Sequence, residues 1–287
     1  MPELPEVETV RRGLAPYLVG ARIESVTLNR ADLRFAFPPR FTDRLEGKTI
    51  ISVERRAKYL LFSLSDGGVW LSHLGMTGSF AIGDARLVPA SLVNLPAPGE
   101  KHRHLAARLA HPEHGALALS YSDPRRFGFM GLFAPGEPNP HLDGLGPEPL
   151  GNGLDAQVLA TALRGKKTPI KSALLDQRVI AGLGNIYVCE ALFRAGIAPT
   201  RLASAVTFPE TEALVRAIRD VLAAAIAAGG STLRDFKSAE GIPGYFQHTF
   251  LVYDREGEPC PRPGCTGTIV RIVQSGRSSF FCPVCQH

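Results

Sequence analysis

No stretch of this chain is apolar for the roughly 20 residues that a membrane-spanning helix needs. The N-terminus, MPELPEVETV, carries acids where a secretory signal needs bases and an apolar core. These absences argue against an integral membrane protein and predict one made and kept in the cytoplasm. Cysteine is scarce, with five in 287 residues, and four of the five fall in the last 28. In a reducing compartment that pattern argues against a disulfide frame. Internal repeats and low-complexity segments are missing as well. With 45% apolar and 21% charged residues the chain is neither disordered nor fibrous, and its length suits about two domains.

Familiar catalytic motifs are also lacking. No HExxH occurs: His111-Pro112-Glu113-His114 has the wrong order, and Pro112 argues for a turn. There is no Walker loop and no GxSxG. Gly182-Leu183-Gly184 opens a helix, but position 187 is Tyr where a dinucleotide fingerprint needs its third glycine. Backbone N–H groups at such a helix start suit a phosphate, with Asn185 as a possible cap, although a plain interhelical turn reads the same way.

What is present begins with charge. Residues 1–10 hold three acids and no base, whereas residues 11–60 hold 11 bases and 5 acids. A concentrated basic region suits a polyanionic partner, and a solvated basic face fits equally well on charge alone.

Helical spacing of Val7, Val10 and Leu14 behind Pro5 predicts a helix over 5–14. Seven short β-rich stretches follow: Arg22–Leu28, Thr49–Arg55, Lys58–Leu64, Val69–Leu74, His104–Leu109, Ala116–Tyr121 and Phe127–Phe133. Turn residues separate most of them, which suggests a sandwich. Residues 134–153 contain five prolines and five glycines and read as a linker. Helices are then expected at Leu163–Leu175 with a break near Lys166–Pro169, at Asn185–Ala195 and at Pro209–Ala228. The stretch 231–248 reads as a long loop. The expected fold is α+β and multidomain: a β-sandwich domain (1–134), a linker (135–153), a helical domain (154–248) and a cysteine-bearing β-hairpin (249–287).

Cys260, Cys265, Cys282 and Cys285 form C-x4-C-x16-C-x2-C. Zn²⁺ accepts four thiolates tetrahedrally, and each close pair fits one tight turn. Pro261, Pro263, Gly264 and Pro283 supply those turns. One structural zinc is expected; four protein ligands leave no position for a reacting water. His287 is an alternative to one thiolate. Cys189, among Val188, Ala191 and Leu192, reads as a small core residue.

The second residue is a proline. Once Met1 is removed, its secondary amine can attack an aldehyde-like carbon and give an iminium cation, an electron sink that acidifies a neighbouring C–H. Glu3 and Glu6 lie beside it as proton donors or shuttles. A Met-Pro start on its own carries no such meaning, and Lys58 on its own reads as a solvated strand lysine.

Assembled, the pieces say more. The chain presents, in order, MPELPEVETVRRGL, Arg55-Arg56-Ala57-Lys58-Tyr59-Leu60, His73-Leu74-Gly75-Met76-Thr77-Gly78, Tyr121-Ser122-Asp123-Pro124-Arg125-Arg126-Phe127-Gly128, Gly182-Leu183-Gly184-Asn185-Ile186-Tyr187 and the four cysteines. This set closely resembles bacterial formamidopyrimidine-DNA glycosylase over essentially the whole chain. A sister family that removes oxidised pyrimidines usually begins Pro-Glu-Gly-Pro-Glu; Leu4 favours the oxidised-purine branch.

The resemblance implies a base-excision enzyme that excises 8-oxoguanine and formamidopyrimidines and then cuts the strand. Its implied fold is an N-terminal β-sandwich with flanking helices, a helix–two-turn–helix domain and a β-hairpin zinc finger. Pro2 matches the nucleophile, Glu3 the acid that assists sugar opening, and Lys58 a base of the β-elimination step. Arg277 matches the finger arginine of δ-elimination. Met76, Arg125 and Phe127 match the side chains that fill the gap left by a flipped base. For Met76 and Phe127 the bland alternative is core packing. His102, Arg125, Lys166 and Asn185 match phosphate contacts. Glu6, Lys237, Ser238 and Tyr245 match the lesion pocket and the loop that caps it. The implied partner is double-stranded DNA with oxidised bases or abasic sites, bound by a monomer in the cytoplasm, at the nucleoid. The family's first cysteine pair is commonly C-x2-C; here two extra residues lengthen that knuckle, which bears on where Arg277 sits.

Overall fold

A computed structural model describes residues 2–84, 100–231 and 246–287. The chain divides into two units: Met1–Asp143 with Gly229–Tyr245, and Gly144–Ala228 with Phe246–His287.

The first unit opens with helix α1 (Leu4–Leu18). Glu3 and Glu6 form a capping box at its start, and Pro5 sits where the missing N–H costs nothing. Leu4, Val7, Val10, Leu14 and Leu18 share the buried face, so the helix runs a turn past the predicted 5–14 span. Among the described residues eight strands follow, with a short helix α2 (Phe41–Leu45) after the first. They are β1 (Arg22–Leu28), β2 (Ile50–Arg56), β3 (Tyr59–Leu64), β4 (Val69–His73), β5 (Ser79–Asp84), β6 (Arg103–His111), β7 (Gly115–Ser122) and β8 (Phe129–Phe133). They make two antiparallel four-stranded sheets, ordered β1-β6-β7-β5 and β2-β3-β4-β8.

Alternation explains how they pack. In β3, Leu60, Phe62 and Leu64 are buried while the residues between them are less so. A single core gathers Phe62, Trp70, Phe80, Leu105, Leu119 and Tyr121 from both sheets with the apolar face of α1. The Phe62 and Trp70 rings stack at 4.5 Å. Strand β5 and helix α2 were not foreseen.

The second unit holds α3 (Ala156–Leu163), α4 (Ile170–Leu175), α5 (Asn185–Ala195) and α6 (Phe208–Ala227) and the hairpin β9 (Val270–Gln274) and β10 (Arg277–Phe281). The expected Leu163–Leu175 helix with its break near Lys166–Pro169 is corrected in its first part only: α3 ends at Leu163, where that helix should begin, and α4 follows the break. Arg164 turns extended, Gly165 takes φ +71°, and Pro169 supplies no donor, so helix resumes only at Ile170. Helix α6 starts with a capping box of Thr207 and Glu210, and Leu214, Ile218, Val221 and Leu222 line its buried face. Cys189 is buried on α5 as expected. Among the described residues no helix is long and apolar enough to cross a membrane.

Candidate DNA-processing site and metal centre

The capping box of α1 places Pro2, Glu3 and Glu6 together. Pro2 is buried, and Glu3 and Glu6 are 4% and 2% exposed. The Glu6 carboxylate accepts from Glu3 N at 2.8 Å through Oε2. Through Oε1 it accepts from Ser231 N and Oγ, both at 2.9 Å. Glu6 therefore ties the start of α1 to the residue that precedes 232–245. Lys237, Ser238 and Tyr245 lie outside the described residues.

Lys58 sits in the two-residue turn between β2 and β3, where Arg56 pairs with Tyr59 and Ala57 adopts φ +53°. It is only 8% exposed, so it is not the solvated strand lysine that the sequence alone allows. Its charge reaches His73 at the end of β4. Burial first, then Lys58 and Arg34, push the His73 imidazole down to about 4. His73 is thus neutral near pH 7, and its Nδ1 accepts from Gly75 N at 3.0 Å. Glu8, one turn along α1, binds Arg11 and Arg12 and lies 3.3 Å from Arg55. Burial would raise that carboxyl, but hydrogen bonds from Arg11 and Arg12 hold it below its usual value. Part of the basic excess of 11–60 is consumed here, within the fold.

Met76 lies in the turn between β4 and β5, and Arg125 and Phe127 lie between β7 and β8. Met76 is half-buried and Arg125 is exposed; Phe127 is 44% exposed, so core packing is excluded for Phe127. The Arg125 guanidinium lies over the Phe127 ring, 4.8 Å from its centroid. The two loops touch at backbone distance. Gly75 has φ +62°, and a Cβ there would lie 2.3 Å from Gly128 N and from the Phe127 carbonyl carbon. Gly75→Ala is therefore expected to lower Tm by about 5 °C or more, because left-handed strain and the clash each cost on the order of 1 kcal/mol. An unchanged melting curve would contradict this contact. His102 joins the same region: its carbonyl accepts from Asp123 N at 3.0 Å.

Arg277, Lys166 and Asn185 belong to the second unit. The β9–β10 turn has Ser275 at φ +49° and Gly276 at φ +73°, the paired left-handed geometry of a tight hairpin. It leaves Arg277 exposed as the first residue of β10. Lys166 is half-buried between α3 and α4. Asn185 does not cap α5; Gly184 holds the cap position and Asn185 is the first helical residue. Its Nδ2 donates to Ser278 O at 3.0 Å, beside Arg277.

The four thiols converge. Their sulfurs all lie within 4.8 Å of one another, with Cys260–Cys285 at 3.7 Å and Cys265–Cys282 at 3.6 Å. A tetrahedron with Zn–S bonds of about 2.3 Å has edges of about 3.8 Å, so the donor set fits one zinc. His287 is not in this cluster. The longer first knuckle is absorbed against α5. Arg262 donates to Phe193 O at the helix C-terminus and stacks 5.1 Å over the Phe193 ring.

Two buried charges that no motif marks hold the hairpin and the segment that precedes it. Lys171 is wholly buried and donates to Ser278 O at 2.7 Å and to Ser279 Oγ at 2.6 Å. Glu190 is wholly buried and accepts from the backbone N–H groups of Leu251, Val252 and Tyr253 at 2.9–3.1 Å. The available signal was a charge set among apolar neighbours, Ile170-Lys171 and Cys189-Glu190-Ala191.

Residues 1–130 match the formamidopyrimidine-DNA glycosylase N-terminal domain, 145–237 the formamidopyrimidine-DNA glycosylase H2TH domain, and 257–287 a zinc finger found in FPG and IleRS. A formamidopyrimidine-DNA glycosylase of Cereibacter sphaeroides is 55% identical over 288 residues, with full coverage of both chains. The crystal structure of the MutM (Fpg) protein from Thermus thermophilus is 42% identical, covers 99% of this chain and 98% of its own, and has a TM-score of 0.83. The Lactococcus lactis Fpg in complex with DNA containing an abasic site is 36% identical, with full coverage of both chains and a TM-score of 0.84. Together with the two four-stranded sheets, the helices and the four-thiol hairpin, these matches show that the chain belongs to the formamidopyrimidine-DNA glycosylase family.

Proposed function

We propose that the protein is a DNA glycosylase with abasic-site lyase activity that removes oxidised purines from duplex DNA. The observation that carries this reading is the burial of Pro2, Glu3 and Glu6 together at the start of α1. With Met1 removed, Pro2 presents an amine beside two carboxylates in a water-poor setting, the groups that a Schiff-base excision needs. Relatives support the substrate class: Lactococcus lactis Fpg has been crystallised with abasic-site DNA, and a point mutant of it with DNA containing Fapy-dG.

In the proposed sequence the Pro2 nitrogen attacks C1′ of the damaged nucleotide. The C1′–N bond breaks, and the base leaves with a proton. Glu3 protonates the ring oxygen as the sugar opens, and Pro2 is left as an iminium on C1′. Loss of a C2′ proton then expels the 3′ phosphate, with Lys58 moving that proton and its charge favouring the departing anion. Arg277 assists the second elimination, at the 5′ side. Zinc, when bound, supplies no chemistry; Cys260, Cys265, Cys282 and Cys285 hold it so that the hairpin carrying Arg277 keeps its shape.

A base inside a duplex must first be flipped out. Met76 and Phe127 would fill the vacated stack, and Arg125 would bond the orphaned base. His102, Arg125, Lys166 and Asn185 would hold phosphates. Glu6, Lys237, Ser238 and Tyr245 would contribute to the lesion pocket. The proposed division of labour is a catalytic domain (1–134), a linker (135–153), a DNA-binding domain (154–248) and a zinc finger (249–287), acting as a monomer in the cytoplasm, at the nucleoid.

The test is borohydride trapping on a duplex with 8-oxoguanine opposite cytosine, with peptide mass mapping of the adduct. A covalent product at Pro2 is expected. No adduct on this duplex, but one on an oxidised pyrimidine, would move the protein to the sister branch. Tight binding with no adduct on either would leave a noncatalytic binder. Binding is also expected to weaken with salt at a log–log slope of about −2, from the two permanently charged residues among the proposed phosphate contacts, Arg125 and Lys166. A flat response would contradict the proposed contacts.

A further inference from the structure

We propose that Asp123 is a positioning residue that joins the Met76 turn to the loop bearing Arg125 and Phe127, so that the three side chains enter DNA as one wedge. The proposal rests on the reading of those three as the gap-filling residues.

Asp123 is wholly buried, and its polar groups reach both loops. Oδ1 accepts from the Thr77 hydroxyl, in the residue after Met76. Oδ2 accepts from Gly128 N at 2.8 Å, in the residue after Phe127. Thr77 Oγ1 in turn accepts from Arg125 N at 3.1 Å, which closes a ring of bonds between the loops. The Asp123 backbone is itself fixed: its carbonyl accepts from His104 Nε2 at 2.8 Å and from Arg126 N at 3.2 Å. His104 is 3% exposed, so this anchor sits in the sheet and not at the surface.

The loops can meet because two positions lack side chains. A Cβ on Gly75 would strike the backbone at 127–128. One on Gly128 would lie 2.8 Å from His73 O, at the end of β4, and 3.0 Å from Asp123 Oδ2. Backbone contact plus a buried carboxylate makes the pair move together. A half-inserted state, with Met76 in the stack and Phe127 out, would require breaking a charged hydrogen bond in a dry site. Prepaying that order lowers the entropy cost of insertion.

The variants to compare are Thr77→Val, Asp123→Asn and Met76→Ala, together with the double variant Thr77→Val/Met76→Ala. Each is assayed for single-turnover excision from a lesion duplex carrying 2-aminopurine beside the lesion, and for cleavage of single-stranded DNA holding a preformed abasic site. The single-stranded substrate has no stack to fill. Thr77→Val keeps the side-chain shape, and a melting curve confirms its fold.

For Thr77→Val and for Asp123→Asn, duplex excision and the 2-aminopurine step are expected to slow about tenfold, the factor for one hydrogen bond to a charged acceptor. Single-stranded cleavage should stay within about twofold of the parent, the range of a neutral substitution. Adding Thr77→Val to Met76→Ala should cost little more than Met76→Ala alone. Wild-type duplex rates in Thr77→Val, with Met76→Ala slow, would overturn the coupling and leave the gap-filling reading standing. Equal losses on both substrates would overturn it too, because a general structural defect would suffice. A Met76→Ala variant with unchanged duplex excision would remove the gap-filling reading, and the proposal with it.

Discussion

Pro2→Gly is expected to cut borohydride-trappable adduct and strand cleavage by about a hundredfold or more, which is about 2.7 kcal/mol of barrier. Duplex affinity, measured by fluorescence anisotropy, should change little. The reason is chemical. A secondary amine gives an iminium that carries its positive charge permanently. The primary amine of glycine gives an imine that must first gain a proton to serve as the same electron sink. An α-amine has a pKa of about 7.7–8, so a useful neutral fraction attacks near pH 7 in either case. Proline also fixes the backbone angle that leads into the Glu3–Glu6 capping box, whereas glycine frees it. The second variable is separable: Glu6→Gln should loosen Ser231 and the start of α1 without removing the amine. Full trapping by Pro2→Gly would take Pro2 out of its proposed role.

Cys282→Ser is expected to release zinc, measured as metal per chain, and to weaken DNA binding. Structural zinc supplies on the order of 10–16 kcal/mol in finger peptides, more than a small hairpin can replace. Cys282 is wholly buried in a cluster with Cys189, Phe193, Val252, Ile269 and Phe280. Gly267 is fitted closely beneath it, since a Cβ there would lie 2.5 Å from its sulfur. A hydroxyl in that apolar site loses a strong ligand and gains an unmet hydrogen-bonding need. Lys171 would still bond β10 and Glu190 the 251–253 segment, so the loss should fall on the order of β9–β10 and Arg277 more than on the helices. Unchanged zinc content would sink the four-thiolate assignment.

Legibility varied with the range of the physics involved. Helix α5 and strand β1 were read to the residue, because their apolar spacing is local. The zinc ligands were legible because two knuckles bring four thiols together almost without help from the rest of the chain. Strand β5 and helix α2 were missed. Phe41-Thr42-Asp43-Arg44-Leu45 is a single turn with only its first and last residues buried, too short to show a period. Around 163–175 the expected break near Lys166–Pro169 is present and α4 follows it, but the helix before the break lies upstream, at Ala156–Leu163, where a short run of apolar spacing gives little signal.

The exposure of candidate side chains was decided elsewhere. Lys58 on its own reads as an ordinary surface lysine and is nearly buried; Phe127, for which core packing is the bland alternative to a gap-filling role, is exposed. Each depends on what another part of the chain places beside it. Sequence by itself therefore determined the classes of chemistry present: an amine and acids at the start, basic and aromatic loop residues in the middle, and four thiols at the end. Only the tertiary structure decided which buried charges hold those groups. Asp123 meets Thr77 across 46 residues, Lys171 meets Ser279 across 108, and Glu190 meets Val252 across 62. A buried charge is tolerated only where a distant segment supplies its hydrogen bonds, and no local pattern encodes that supply.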